Sequence, residues 1–324
     1  MHFRHGFVVL MLALGVPAMA HGQMVFESTG ERALGMGGAF VAVANDSTAT
    51  FWNPAGLVVG APASATFGWS RFQAGNPKAN PEPGLTRRTA TLTSIGSWPA
   101  GLSYGHFTHS TLGAREDGLF TVETLHTSHV GLTILQTLAE GLIGGLTVRY
   151  MRGDVVQAVS DRPTVEEAFA TTDDMQGKRT GALDLDAGLM ADMRRLRVGL
   201  TLRNLRSPSF GETAQNRVTI PRETRLGIAI LPTDGLTLAM DLDLETVDLR
   251  DDLRRMVALG GEGRIGRHLA VRTGIRWDLE GDRRLLGSAG LSISLRPGIW
   301  LDGHYAHGRR VEDREFGAAL RAGL

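Results

Sequence analysis

About fourteen short stretches of alternating polar and apolar residues follow one another from residue 62 onward, and their connections are in turn long and short. The long ones fall near 73–85, 110–121, 154–179, 207–219, 248–253, 279–283 and 309–313. Tight ones fall near Ser97–Pro99, Glu140–Gly141, Met193–Arg195, Pro232–Gly235, Gly266–Arg267 and Arg296–Pro297. An even number of strands with tight turns at one rim and long loops at the other is the pattern of an outer-membrane β-barrel. The spacing therefore predicts an all-β fold, a 14-stranded antiparallel transmembrane barrel over 62–324, with both termini at the short-turn, periplasmic rim. A soluble sandwich also alternates, but two packed sheets do not require every second connection to be tight.

The faces of individual strands support this reading. Over 236–245, Leu236, Leu238, Met240, Leu242 and Leu244 share one face, and Thr237, Ala239, Asp241, Asp243 and Glu245 the other. Successive strand residues point to opposite faces, so one side is apolar and the other acidic. Leu183, Leu185 and Leu189 stand against Asp184, Asp186 and Asp192 in the same way, and Leu196, Val198, Leu200 and Leu202 against Arg197 and Arg203. A lipid-facing Arg costs ~2–4 kcal/mol at the bilayer midplane, so confining charge to one face fits a wall with lipid on the other. The polar face alternates in sign between neighbouring strands. Such charges pair across a ladder, giving a wall held by its own ion pairs; the alternative is a charged conduit for ionic solutes. Trp69, Trp98, Tyr150, Trp277 and Trp300 fall near strand ends, where interfacial girdle residues belong.

Residues 1–20 read as a secretory signal peptide: Arg4 and His5, the apolar run Phe7–Val16, then Ala18-Met19-Ala20. No other stretch approaches the ~18 consecutive apolar residues of a membrane helix. The chain holds no cysteine, which removes disulfides and thiolate metal sites. Zero net charge argues against a nucleic-acid partner.

Before the first strand lies Gly30-Glu-Arg-Ala-Leu-Gly-Met-Gly-Gly-Ala-Phe-Val-Ala-Val-Ala44, followed by Asn45-Asp-Ser-Thr-Ala-Thr-Phe-Trp-Asn-Pro-Ala-Gly-Leu57. Asp46 or Ser47 is placed to cap a short helical turn that stops at Asn53, because Pro54 disfavours helix in the residue before it. Gly35, Gly37 and Gly38 permit close approach or positive φ. No strand precedes these glycines and no Lys-Ser/Thr follows, which argues against a phosphate-binding loop.

This segment resembles the N-terminal signature of the FadL-like outer-membrane barrels, in particular the PorV/PorQ-type branch. The residues that carry the resemblance are ALGMGGAFVAVA, NDSTATFWNPAGL and the triplet Asn53-Pro54-Ala55, with IPRETRLGIAI (Ile220–Ile230) and GLTLAMDLDL (Gly235–Leu244) later in the chain. The resemblance implies a Gram-negative outer-membrane protein whose residues 21–61 form a hatch inside the barrel, with Gly35, Gly37, Gly38, Asn53, Pro54 and Ala55 as its motif. It implies transport of small hydrophobic, fatty-acid-like compounds through a hatch-gated lumen. The alternative it carries is a PorV-like platform or shuttle for a secretion system. Expected partners are outer-membrane lipids, hydrophobic small molecules and, on the second reading, secretion-system proteins. Fourteen strands enclose more space than the eight that side chains can fill, so a plug is physically reasonable.

Any apolar ligand pocket is expected at the hatch, near Phe40, Phe51 and Trp52. Gly96, Gly105, Gly144 and Gly145 interrupt the early strands, where a kinked wall would open a side exit. His106 and His126 are expected opposite each other at the long-loop rim, where Glu123 would be needed to complete a metal site; no metal or other cofactor is assigned. No nucleophile elbow or other catalytic set is visible, and no enzymatic activity is expected.

Overall fold

The computed structural model describes residues 29–324 except 115–116, 214–215, 250–251, 282–283 and 309–312, so the expected signal peptide lies outside the described residues. Fourteen strands form one closed antiparallel barrel. They are β1 (Ala63–Gln73), β2 (Thr86–Ser97), β3 (Ala100–Ala114), β4 (Phe120–Ala139), β5 (Leu142–Ser160), β6 (Thr180–Asp192) and β7 (Leu196–Arg203), then β8 (Glu223–Thr233), β9 (Leu236–Asp243), β10 (Met256–Ile265), β11 (Leu269–Asp278), β12 (Leu285–Arg296), β13 (Ile299–Gly308) and β14 (Arg314–Gly323). Closure runs from Ser64 opposite Gly323 to Gln73 opposite Arg314, so the sheet has no free edge. Both barrel ends of the chain, Ala63 and Gly323, sit at the short-turn rim. No helix among the described residues is long and apolar enough to cross a membrane.

Side chains alternate in environment as the pattern requires. On β9, Leu238 and Met240 are exposed while Ala239, Asp241 and Asp243 are buried. The exposed set continues around the wall through Phe67, Leu102, Leu132, Val148, Leu189, Ile275 and Leu320. This apolar outer face with a polar inner one is what a bilayer-spanning barrel needs. Trp300 departs from the girdle expectation. It lies on the inward register beside Asp302 and stacks with Arg321, whose guanidinium is 5.7 Å from the ring.

The long-loop rim is taller on one side than the sequence pattern suggested. The segment 110–121 is mostly strand: β3 runs to Ala114 and β4 starts at Phe120. With 20 residues in β4 and 19 in β5, these strands far exceed the ~9–11 that cross a bilayer, so the hairpins stand proud of the belt. The connection after β5 carries a short helix, α1 (Val165–Ala170), whose N-cap Thr164 accepts from Glu167 N. Its Val165, Ala168 and Phe169 join Phe72, Leu85, Leu112, Val122 and Leu286 in a second apolar cluster at this rim.

Spin labels at positions 238, 241, 242 and 243 in bilayers test the assignment. Lipid-soluble quencher should reach 238 and 242 and be excluded from 241 and 243; equal access at all four contradicts it.

Candidate functional site

The interior is filled from one side by residues 30–59. Three short elements build this segment: a helical turn at Glu31–Gly35, another at Ala49–Trp52 and a 3-10 turn at Pro54–Val59. Gly37 and Gly38 adopt φ +70 and +90, a conformation that side chains disfavour. The second turn ends at Asn53, which is extended (φ −158, ψ 106) as the following proline requires. Asn53 Oδ1 then accepts from Ala55 N at 3.1 Å and so opens the third turn, with Pro54 at its first position. Asp46 acts one step before the second turn, not as its cap: its Oδ1 accepts from Thr48 N at 3.0 Å.

The wall meets this segment on a ring of glycines. Gly96 pairs with Gly101, Gly145 with Gly188, Gly199 with Gly227 and Gly260 with Gly274, each across adjacent strands and each on the inward register. A Cβ added at Gly188, Gly260 or Gly274 would overlap Asn53 or Met36 outright. At Gly145 it would stand 2.5 Å from Ala55 N, and at Gly290 3.1 Å from Gly35 Cα. These residues are bare because the segment comes too close for a side chain, with its backbone at Gly145, Gly199, Gly260 and Gly274 and with side chains at Gly96, Gly101 and Gly188. The early-strand glycines therefore do not kink the wall open. Gly96 makes room for Leu57 and Gly145 for Pro54 and Ala55, while Gly105 and Gly144 lie in continuous register with their neighbours. Among the described residues the ladder shifts register only near the tight turns, between Thr137 and Ala139, Ile230 and Thr233, and Ser294 and Arg296.

Polar links fix the segment in position. Arg32 reaches Glu262 of β10 through two bonds of 2.8 Å, and Asp46 and Asn45 of its own segment at 2.7 Å each. Phe40 N and Val41 N donate to Asp241 Oδ2 of β9 at 2.8 and 2.9 Å. Asn53 Nδ2 donates to Val41 O at 3.0 Å and to Leu189 O of β6 at 3.1 Å, tying two parts of the segment to the wall with one amide. Ser47 Oγ donates to Thr66 Oγ1 of β1 at 2.8 Å, and Ser288 Oγ of β12 donates to Gly35 O at 3.1 Å.

Phe40, Phe51 and Trp52 are buried at this contact. Phe40 and Trp52 meet edge to face at 5.9 Å, and Phe51 stacks on Phe107 of β3 at 5.8 Å. Arg203 of β7 lies 3.7 Å over the Phe51 ring. The cluster is packed, and none of the three lines the cleft beside Tyr104 and Tyr150 or the one beside Arg264 and Trp300.

Elsewhere on the inner wall, opposite charges pair between neighbours. Arg149 bridges Asp184 and Asp186 at 2.6 and 2.9 Å, Arg225 meets Asp243 at 2.6 Å, Arg272 meets Glu262 at 2.5 Å, and Arg321 meets Asp302 at 2.8 Å. Arg276 reaches across to Glu315. The arrangement is a wall cross-linked by its own ion pairs. The histidines do not face as expected: His126 pairs with Thr108 and Asp154, while His106 hydrogen-bonds Ser128 at 3.0 Å. Both sit on the outer face, whereas Glu123 is inward-facing and bonded to Gln157, so the three do not converge.

Comparison with known proteins follows this geometry. A family described as "F plasmid transfer operon, TraF, protein" matches residues 121–243. No curated protein sequence matches. Among solved structures, the fold is similar to a CymD monoaromatic hydrocarbon channel, with a TM-score of 0.65 at 14% identity over 91% of this chain and 97% of that one. A FadL homologue of Pseudomonas aeruginosa gives 0.65 at 12% identity, covering 93% and 99%. The Pseudomonas putida toluene transporter TodX gives 0.61 at 12% identity, covering 93% and 98%. The fold is that of FadL-type outer-membrane barrels, and these neighbours are channels and transporters, not enzymes.

Filling one glycine of the ring should loosen the segment. Gly274→Ala overpacks against Met36 and should destabilise the folded barrel by ~1–3 kcal/mol, whereas Gly287→Ala, with open space at its Cβ, should stay close to wild type. Urea unfolding followed by the gel mobility of folded and unfolded barrel measures the difference; equal midpoints for the two variants contradict the close-packing account.

Proposed function

We propose that the protein passes small hydrophobic compounds, fatty-acid-like in size and polarity, across the outer membrane through a lumen gated by its N-terminal segment. Residues 21–61 then act as the hatch, with Gly35, Gly37, Gly38, Asn53, Pro54 and Ala55 shaping it. One observation carries the reading: residues 30–59 lie buried inside a FadL-type barrel, held to the wall by a small set of side chains, Arg32, Ser47 and Asn53 with Thr66, Asp241, Glu262 and Ser288, rather than built into the sheet.

Three features support it. Solved structures with a similar fold include a monoaromatic hydrocarbon channel and a toluene transporter, both named for apolar cargo. The apolar surface available to such a cargo lies where the hatch meets the wall, at Phe40, Phe51, Trp52 and Phe107. The ladder is in register along β1 to β5 apart from the shift near Ala139, so the route follows the barrel axis and the hatch has to shift to open it. The same shift exposes the aromatic cluster to a ligand. A hydrophobic site of this kind stays dry and closed when empty, which prevents a permanent leak.

A second reading, a PorV-like platform or shuttle for a secretion or transfer machine, draws support from the match of 121–243 to a family described from a plasmid transfer operon. The matched stretch spans β4 to β9 with its connecting loops.

Deleting 25–59 should turn a nearly closed barrel into a conducting one in planar bilayers, and Phe51→Ala or Trp52→Ala should weaken binding of a fluorescent fatty acid by ~1 kcal/mol or more. Equal conductance with and without the segment, both forms folded, contradicts gating. Absence of any hydrophobic ligand, together with exported proteins that co-purify with the chain, favours the platform instead.

A further inference from the structure

The outer wall carries a feature that transport does not use. At the upper edge of the apolar belt, Tyr104, Val130, Tyr150 and Leu183 lie side by side on β3 to β6, one register row running across four strands. All four are exposed, with Tyr104 at 51% and Tyr150 at 43%. Tyr at the boundary between an apolar band and a polar rim marks the membrane interface. The row directly above holds His106, Ser128 and Arg152, and the next holds His126 and Asp154. Residues 173–179 of the connection after β5 hang over these rows from outside, pinned by Arg87 to Asp173 and by Gly177 N to Asp154 Oδ2 at 2.9 Å. Between overhang and wall lies a cleft of about 580 Å³.

We propose that this cleft binds the phosphate-bearing headgroup of a membrane lipid. Its floor is the girdle row of Tyr104, Val130 and Tyr150, continuous with the lipid-facing surface below, so an acyl chain lying on the belt leads directly into it. Its upper walls carry Arg152, Arg179, His106 and His126. Two of the three carboxylates there are engaged: Asp154 with Gly177 N and Arg179, and Asp173 with Arg87. Arg152 is exposed, lies 5.8 Å from the Tyr150 ring, donates from Nε to the Tyr150 hydroxyl at 3.5 Å, and makes no ion pair among the described residues. Anchored through Nε, the guanidinium presents its terminal amino groups to phosphate oxygens. His126, one row above Arg152, lines the same cleft and adds an imidazole beside the guanidinium. A free phosphate would gain the cations but not the apolar floor; an uncharged hydrocarbon would gain the floor and leave the cations unused. A phosphorylated lipid uses both.

Native mass spectrometry of the full-length protein in detergent, offered equal amounts of phosphatidic acid and phosphatidylcholine, tests the site. Wild type should retain phosphatidic acid preferentially. Arg152→Ala combined with His126→Ala should reduce that preference about fivefold or more, while Arg264→Ala at the opposite rim leaves it unchanged, and all forms keep the mobility of folded barrel. Millimolar inorganic phosphate should not displace the bound lipid; displacement would mean an anion site without lipid specificity. Laurate at matched concentration should not displace it either, and displacement would assign the cleft to cargo. Equal retention of the two lipids by wild type, or an unchanged preference in the double variant, overturns the proposal.

Discussion

Close contact between residues 30–59 and a glycine-lined wall sets how the interior of this barrel is filled. The segment has few side chains long enough to span a gap, and its own sequence is rich in Gly, Ala and Val. It can fill the lumen only if the wall comes to meet it, which four cross-strand glycine pairs allow. Interior packing is tight, so even one added methyl is felt. Where contact is this close, dispersion accumulates over many atoms, and small lateral displacements forfeit much of it.

The polar links add direction to that contact. Arg32 is buried between Asp46 of its own segment and Glu262 of the wall, so moving the segment away breaks the pair with Glu262. Removing one partner of a buried ion pair costs ~3–5 kcal/mol, because the other charge is left stranded. Asp241 plays the matching part on β9, accepting from two consecutive backbone N–H groups. On the proposed function, a segment held this way would be either docked or undocked rather than gradually loosened. Such an element suits a gate that has to stay shut without cargo. The ion pairs between wall strands are a separate matter: they link neighbours around the barrel and remain when the segment leaves.

Much of this was legible in the sequence, and for physical reasons. Strand period two and the alternation of tight and long connections are local properties, so β6, β7 and β9 could be read directly, as could the end of the second helical turn before Pro54. Strand lengths above the membrane were not legible: the polar stretch 110–121 reads as loop, yet pairing with a long partner strand and burial of Leu112 and Val122 keep it extended. The orientation of His106 relative to Glu123 depends on a register fixed by that hairpin. The wall glycines carry a usable signal in the sequence. Gly145, Gly188, Gly199, Gly227, Gly260 and Gly274 all fall on the inward register of their strands, which points to something close behind them, not to kinks. The partners of Arg32 lay beyond sequence reasoning, because Glu262 is 230 residues away and only barrel closure brings it near.

The central claim is that passage requires the N-terminal segment to leave its place against the wall. Ser47 and Thr66 face each other across that contact, with their side-chain oxygens 2.8 Å apart, and the chain has no cysteine of its own. A Ser47→Cys, Thr66→Cys pair therefore offers a reversible lock between segment and β1. Uptake of a fluorescent fatty acid into vesicles carrying this variant should cease on oxidation and return on reduction, with the oxidised barrel still folded. Undiminished uptake through the locked barrel would contradict the account.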